Sequence, residues 1–230
     1  MATCPTCGDD VTQAGDVCTR CGASLGSAGP SGEFRLLTVV FCDVVDSTAL
    51  GRQLEPAVTK RTLDRYGETV RRVLGGSGAK VGKRHGDGFM AAFGIPELHE
   101  DDALRAAVQL RAAIEELSEE LRRDRGVDFQ IRLGINTGNV LVNAAATMEE
   151  ELTGDAVNLA KRFEEATGPG GILLGEETYR LVADAVRAEP AAALVVHGFP
   201  EAQDTLHLVD VLPERPGRVR RARHPWSAAT

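Results

Sequence analysis

The sequence predicts an α+β domain with a ferredoxin-like core, carried behind a small cysteine-bearing unit. Three observations predict it. Short apolar runs alternate with longer amphipathic stretches, a tight turn string joins two of the runs, and four of the five cysteines are confined to the first 21 residues.

The elements follow in order. Residues 36–42 form a strand buried on both sides, by their length and β-branched content. A helical stretch interrupted at Pro56 runs to about Leu74. Residues 79–83 and 88–93 form two short strands joined by His85-Gly86-Asp87-Gly88, a strong hairpin-turn string. Residues 101–123 read as a long amphipathic helix. Residues 129–137 alternate, with Ile131, Leu133 and Ile135 on one face, and residues 140–142 continue as a partner strand. Residues 155–166 are helical, with Asp155 a natural N-cap. A strand at 172–174, a helix at 176–185 and weaker strands near 194–196 and 206–211 finish the order β-αα-β-β-α-β-β-α-β-α-β-β. The chain divides into a zinc ribbon (1–25), a Gly/Ser/Ala/Pro linker (26–34), the main domain (35–212) and a Pro/Arg-rich tail or linker (213–230).

Composition narrows the function. With 43% hydrophobic and 26% charged residues the chain is an ordinary globular protein. No apolar run approaches the roughly 20 residues of a membrane span, and no signal pattern opens the chain, so it reads as cytoplasmic. A net charge of −8 disfavours nucleic acid as a partner, because phosphate neutralisation needs a basic face. The crowding of Arg215, Arg218, Arg220, Arg221 and Arg223 fits a solvated linker.

Cys4-Pro-Thr-Cys7 and Cys18-Thr-Arg-Cys21 are two knuckles, each followed by glycine. Two thiolates separated by two residues turn onto one metal, and the second pair closes a tetrahedral zinc site with no open position. That makes the zinc structural. Cys42 sits inside an apolar run and reads as a core residue.

Asp43 ends an apolar strand just before Asp46-Ser47-Thr48, which opens a helix. Asp87 lies in a turn between Gly86 and Gly88. If the two elements are adjacent strands, the carboxylates converge and can hold one or two divalent cations. Singly, Asp43 serves as well at a helix start and Asp87 as a turn former. Asn158 and Arg162 are four apart, hence on one helix face, where a solvated pair is the plain alternative.

Together these segments resemble a known family. Phe41-Cys-Asp43-Val-Val-Asp-Ser-Thr48, Lys83-Arg-His-Gly86-Asp87-Gly88-Phe and Val157-Asn158-Leu-Ala-Lys-Arg162 are similar to the three signature segments of class III adenylate and guanylate cyclases, in the family's order. The resemblance covers about residues 35 to 212. It implies that Asp43 and Asp87 hold two Mg²⁺ or Mn²⁺ ions, that Arg162 offsets charge growing on the α-phosphate, and that Asn158 positions the ribose. It implies that Lys83 and Glu151 read the base, that Val44, Ser47, Thr48 and His197 meet the triphosphate, and that two subunits share each site. Lys83 favours ATP. A mostly neutral His197 is a poorer phosphate ligand than the lysine often found there, which implies reduced turnover. The expected activity is an adenylate cyclase making 3′,5′-cyclic AMP as a homodimer. The alternative is a catalytically weak cyclase module that binds nucleotide, dimerises and regulates a neighbour. A third reading makes the ribbon the working part; Arg20 against Asp9, Asp10 and Asp16 disfavours nucleic acid there. The zinc ribbon and Arg-rich end further resemble bacterial regulators in which this domain precedes an ATPase-like effector module.

Overall fold

A computed structural model describes residues 2–3, 10–11, 32–82, 84, 86–94, 100–143 and 152–213. The zinc-ligand candidates Cys4, Cys7, Cys18 and Cys21, the base-reading candidates Lys83 and Glu151, and the tail from residue 214 lie outside the described residues. The chain falls into two compact units, Met1–Glu33 and Phe34–Thr230. In the first, β1 (Ala2–Thr3) pairs antiparallel with β2 (Asp10–Val11).

The second unit is built on one sheet. Its strands are β3 (Gly32–Val44), β4 (Lys80–Val81), β5 (Phe89–Phe93), β6 (Ile131–Asn143), β7 (Leu152–Thr153), β8 (Ile172–Gly175), β9 (Val186–Pro190) and β10 (Thr205–Val211). They lie in the order β4-β5-β3-β6-β8-β10-β9, with β7 folded antiparallel onto the end of β6. The helices are α1 (Ser47–Gln53), α2 (Pro56–Val70), α3 (Glu100–Arg125), α4 (Asp155–Ala166) and α5 (Glu176–Val182), and α2 runs on into a π-helical turn over Arg71–Gly75.

The middle of strand β3, residues 36–42, reads as a near-continuous apolar run because both of its faces are covered. Val40, Cys42 and Val44 join the larger core, where Tyr66 and Val70 of α2 meet Leu104, Leu110 and Ile114 of α3. Leu37 and Val39 turn the other way, onto Val140, Leu152, Ala156 and Ala160. In the larger core Tyr66 packs edge-on against Phe89 and Phe129 at 5.5 and 5.9 Å. Helix α2 starts where the sequence puts proline at its first turn, a position whose missing N–H costs nothing.

Several boundaries differ from expectation. Strand β6 is one continuous element, with no break between 137 and 140. Gly138 falls between the two strands expected there, and in the structure it gives room: a Cβ there would stand 3.0 Å from that of Ala156. Asp155 is the first helical residue rather than the cap. Gly154 caps α4 at φ 152°, a conformation that favours glycine, without a side-chain cap bond. The strand expected at 194–196 is a single bridge between Leu194 and Gln203, and β9 replaces it as the partner of β10. Its terminal Pro190 is tolerated because β9 is an edge strand.

Candidate active site

Antiparallel pairing of β3 with β5 sets Cys42 opposite Phe89, so the next residue along, Asp43, comes beside the turn that carries Asp87. Gly86 holds that turn at φ 63°. The Asp87 charge is felt at the Asp43 carboxyl. Burial, then the charge of Asp87, then that of Glu164 push the Asp43 carboxyl above the usual range, against a smaller pull from Lys161. Asp43 Oδ1 is buried without a hydrogen-bond donor. Its close neighbour is another acceptor, so the pair calls for a shared cation or a proton.

A divalent oxygen-seeking cation fits that need. Two carboxylates are a usual protein contribution to a Mg²⁺ or Mn²⁺ site, with waters and substrate phosphates filling the remaining positions. Among the described residues no cluster of three or more metal-ligating side chains occurs, so further ligands would have to be of that kind.

The other expected residues fall into two sets. Val44 is 2% exposed and faces the core, so only its backbone is available to a ligand. Ser47 is half-buried and Thr48 exposed at the start of α1. Asp46, just before them, is held at φ 49°, a left-handed conformation that few residues other than glycine, asparagine and aspartate accept. Asn158 and Arg162 stand on the exposed face of α4, where Arg162 pairs with Glu165 at 2.6 Å. His197 is exposed in the turn before Gly198, whose φ is 93°. The structure therefore joins Asp43 to Asp87 and leaves Asn158, Arg162 and His197 open to solvent.

Three charged residues at this site escaped the sequence reading. Arg132 on β6 approaches Asp43 with Nη2 at 3.3 Å from Oδ2. Its Nε lies 2.6 Å from Glu164 Oε1, a close ion pair not aligned as a hydrogen bond. Glu164 is fully buried and takes a second ion pair from Lys161. Lys161 also stands 5.8 Å from the Phe41 ring centroid. The row Asp43–Arg132–Glu164–Lys161 runs between β3, β6 and the inner side of α4. It is possible because Gly134 lets α4 lie directly on β6: a Cβ there would be 2.1 Å from the Glu164 backbone nitrogen. The signal was present but weak. Arg132 interrupts an apolar strand, and Glu164 occupies the stripe formed by Ala156, Ala160 and Phe163.

Comparison with known proteins agrees with this geometry. Residues 30–209 match the family described as "Adenylate and Guanylate cyclase catalytic domain". An adenylate cyclase of Anabaena cylindrica is 29% identical over 155 residues, which is 64% of this chain and 30% of that protein. An adenylate cyclase of Mycobacterium tuberculosis is 28% identical over 149 residues, again 64% of this chain and 33% of the relative. The chain thus spans about a third of the length of these relatives. The crystal structure of the adenylyl cyclase CyaB from P. aeruginosa superposes with a TM-score of 0.72 at 28% identity, covering 83% of this chain and 98% of that one. The guanylyl cyclase Cya2 shares the fold, with a TM-score of 0.71 at 24% identity over 82% of this chain and 98% of that one. Among the described residues no helix is long and apolar enough to cross a membrane. The paired aspartates at the β3–β5 junction, the matched span and the shared fold agree, and the chain belongs to the class III adenylate and guanylate cyclase catalytic domain family.

Proposed function

We propose that this domain is an adenylate cyclase, converting ATP to 3′,5′-cyclic AMP and pyrophosphate in a site shared by two copies of the chain. The observation that carries the reading is the convergence of Asp43 and Asp87 at the β3–β5 junction, with Asp43 Oδ1 buried and unpartnered. A cation bound there supplies a lowered pKa for the ribose 3′-hydroxyl and relief of triphosphate charge. The 3′-oxygen forms its bond to the α-phosphorus as the bond to the bridging oxygen breaks. Pyrophosphate leaves, and the hydroxyl proton passes to solvent.

The chain's own residues bind and orient. Asp43 and Asp87 hold the reacting end, and Arg132 is a third charged group beside them. Asn158 and Arg162 serve the second copy's site, Asn158 aligning the ribose and Arg162 offsetting charge on the α-phosphate. Their exposure on the outer face of α4 supports that assignment. Lys83 donates to adenine N1, where guanine presents a donor, and Glu151 accepts from the adenine amine. Ser47, Thr48, the Val44 backbone and His197 meet the triphosphate. The adenylate cyclases among the relatives favour the same substrate.

The test is turnover by purified protein of ATP and GTP, each with Mn²⁺ or Mg²⁺, with cyclic nucleotide measured by chromatography. Cyclic AMP formed about 5- to 150-fold faster than cyclic GMP is expected, because the wrong base leaves a donor unpaired beneath the bound nucleotide at a cost of about 1–3 kcal/mol. Equal turnover would remove Lys83 and Glu151 from the base site. A dimer with no turnover would make the domain a regulatory nucleotide-binding module.

A further inference from the structure

Arg132 is held from both ends. Glu164, wholly buried, pairs with its Nε at 2.6 Å, and Asp43 pairs with its Nη2 at 3.3 Å. The inner end is well anchored. Glu164 sits on a helix pressed against the β6 backbone at Gly134, and Lys161 supplies its second cationic partner. The outer end touches one of the two carboxylates read above as cation ligands. A single guanidinium therefore contributes positive charge at the place where a divalent cation has to bind.

We propose that Arg132, clamped by Glu164, is an internal counter-ion at Oδ2 of Asp43 that competes with a divalent cation for the carboxylate's charge. The inference rests on the reading of Asp43 as a cation ligand. It assigns two positioning residues, Glu164 and Arg132. Its consequence is that the site binds a cation more weakly than its carboxylates alone would, because one of those carboxylates is already paired. Lys161 acts differently: it lowers the charge cost at Asp43 through space, while its ion pairs are with Glu164 and Glu165.

The groups facing this network allow contact and field to be separated. Mn²⁺ binding to the nucleotide-free protein is followed by electron paramagnetic resonance of the unbound ion. Arg132→Lys keeps the charge but cannot reach both carboxylates, and Arg132→Gln removes the charge. Both should bind Mn²⁺ roughly tenfold more tightly than wild type, the equivalent of one lost hydrogen bond between charged groups. Lys161→Gln, which removes a nearby charge but no contact with Asp43, should stay within about twofold, since a charge at a distance is screened. Equal tightening by Arg132→Gln and Lys161→Gln, or no tightening by either Arg132 variant, overturns the proposal. Should Arg132→Lys lose its fold by circular dichroism, the comparison of Arg132→Gln with Lys161→Gln decides alone. Asp43→Asn should lose the bound Mn²⁺. If it binds as wild type does, Asp43 is not a cation ligand and the functional reading falls with the proposal.

Discussion

Gly134 is the position on which the arrangement of α4 depends most directly. A Cβ added there would lie 2.1 Å from the Glu164 nitrogen, 2.2 Å from the Ala160 carbonyl oxygen and 2.8 Å from the Glu164 Cα. All three are backbone atoms, so no side chain can swing aside. To reach ordinary contact at 3.4 Å, α4 would have to rise by about 1.3 Å from the sheet. That lift loosens the packing of Ala156, Ala160 and Phe163 and stretches the Arg132–Glu164 pair. Overpacking alone costs about 1–3 kcal/mol, and immovable backbone puts Gly134→Ala at the upper end, about 3 kcal/mol. With a urea slope of about 2 kcal/mol per molar, the midpoint should fall by about 1.5 M. Gly51→Ala is the matched control. It lies in α1 with nothing within 4 Å of its added methyl, so it should gain about 0.5–1 kcal/mol. Equilibrium urea unfolding followed by circular dichroism compares the two. A Gly134→Ala midpoint equal to wild type would refute the close seating of α4 on β6, and with it the placement of Glu164.

Asp43→Asn should stabilise the cation-free protein while abolishing turnover, because burial and Asp87 disfavour the ionised form. The sign follows from a carboxyl raised on folding: its contribution to stability improves as pH falls through the raised value and is complete below the ordinary one. Thermal melts at two pH values in chelator check it, and a less stable Asp43→Asn would contradict the cause assigned. Asp87→Ala and Arg162→Ala homodimers should each be nearly inactive. Mixed with free subunit exchange they should recover about a quarter of wild-type activity, since half the dimers then hold one intact site. No recovery, with exchange shown independently, would place both residues in one chain's site. Protein purified reduced and without chelator should carry one zinc per chain through Cys4, Cys7, Cys18 and Cys21, and metal analysis finding none would end that assignment.

The elements legible in the sequence are those whose pattern has one physical cause. Strand β3 announces itself because both faces are buried, the β4–β5 turn because Gly86 needs its conformation, and α3 because leucines recur at helical spacing along it. The misread ones have a glycine or proline doing something other than turning the chain. Gly138 makes room for Ala156 inside a continuous strand, and Pro190 closes an edge strand that needs no donor there. The site divides in the same way. Asp43 and Asp87 were recoverable because motif and turn chemistry pointed to the same two residues. Arg132 and Glu164 were not, because they lie far apart in sequence and their pairing depends on the close approach at Gly134.

Helix α4 is locked against rolling. Its inner side is fixed by backbone contact at Gly134 and by a buried ion pair, while Asn158 and Arg162 project from its outer side. Turning the helix far enough to re-aim those two residues would drag a buried carboxylate from its partners, a change that typically costs about 3–5 kcal/mol. If two copies share the site as proposed, signals that govern it have an easier route in sliding one whole subunit against the other. On the two-copy site proposed above, the throttle would then be the seam between the copies, with each chain serving as a rigid jaw.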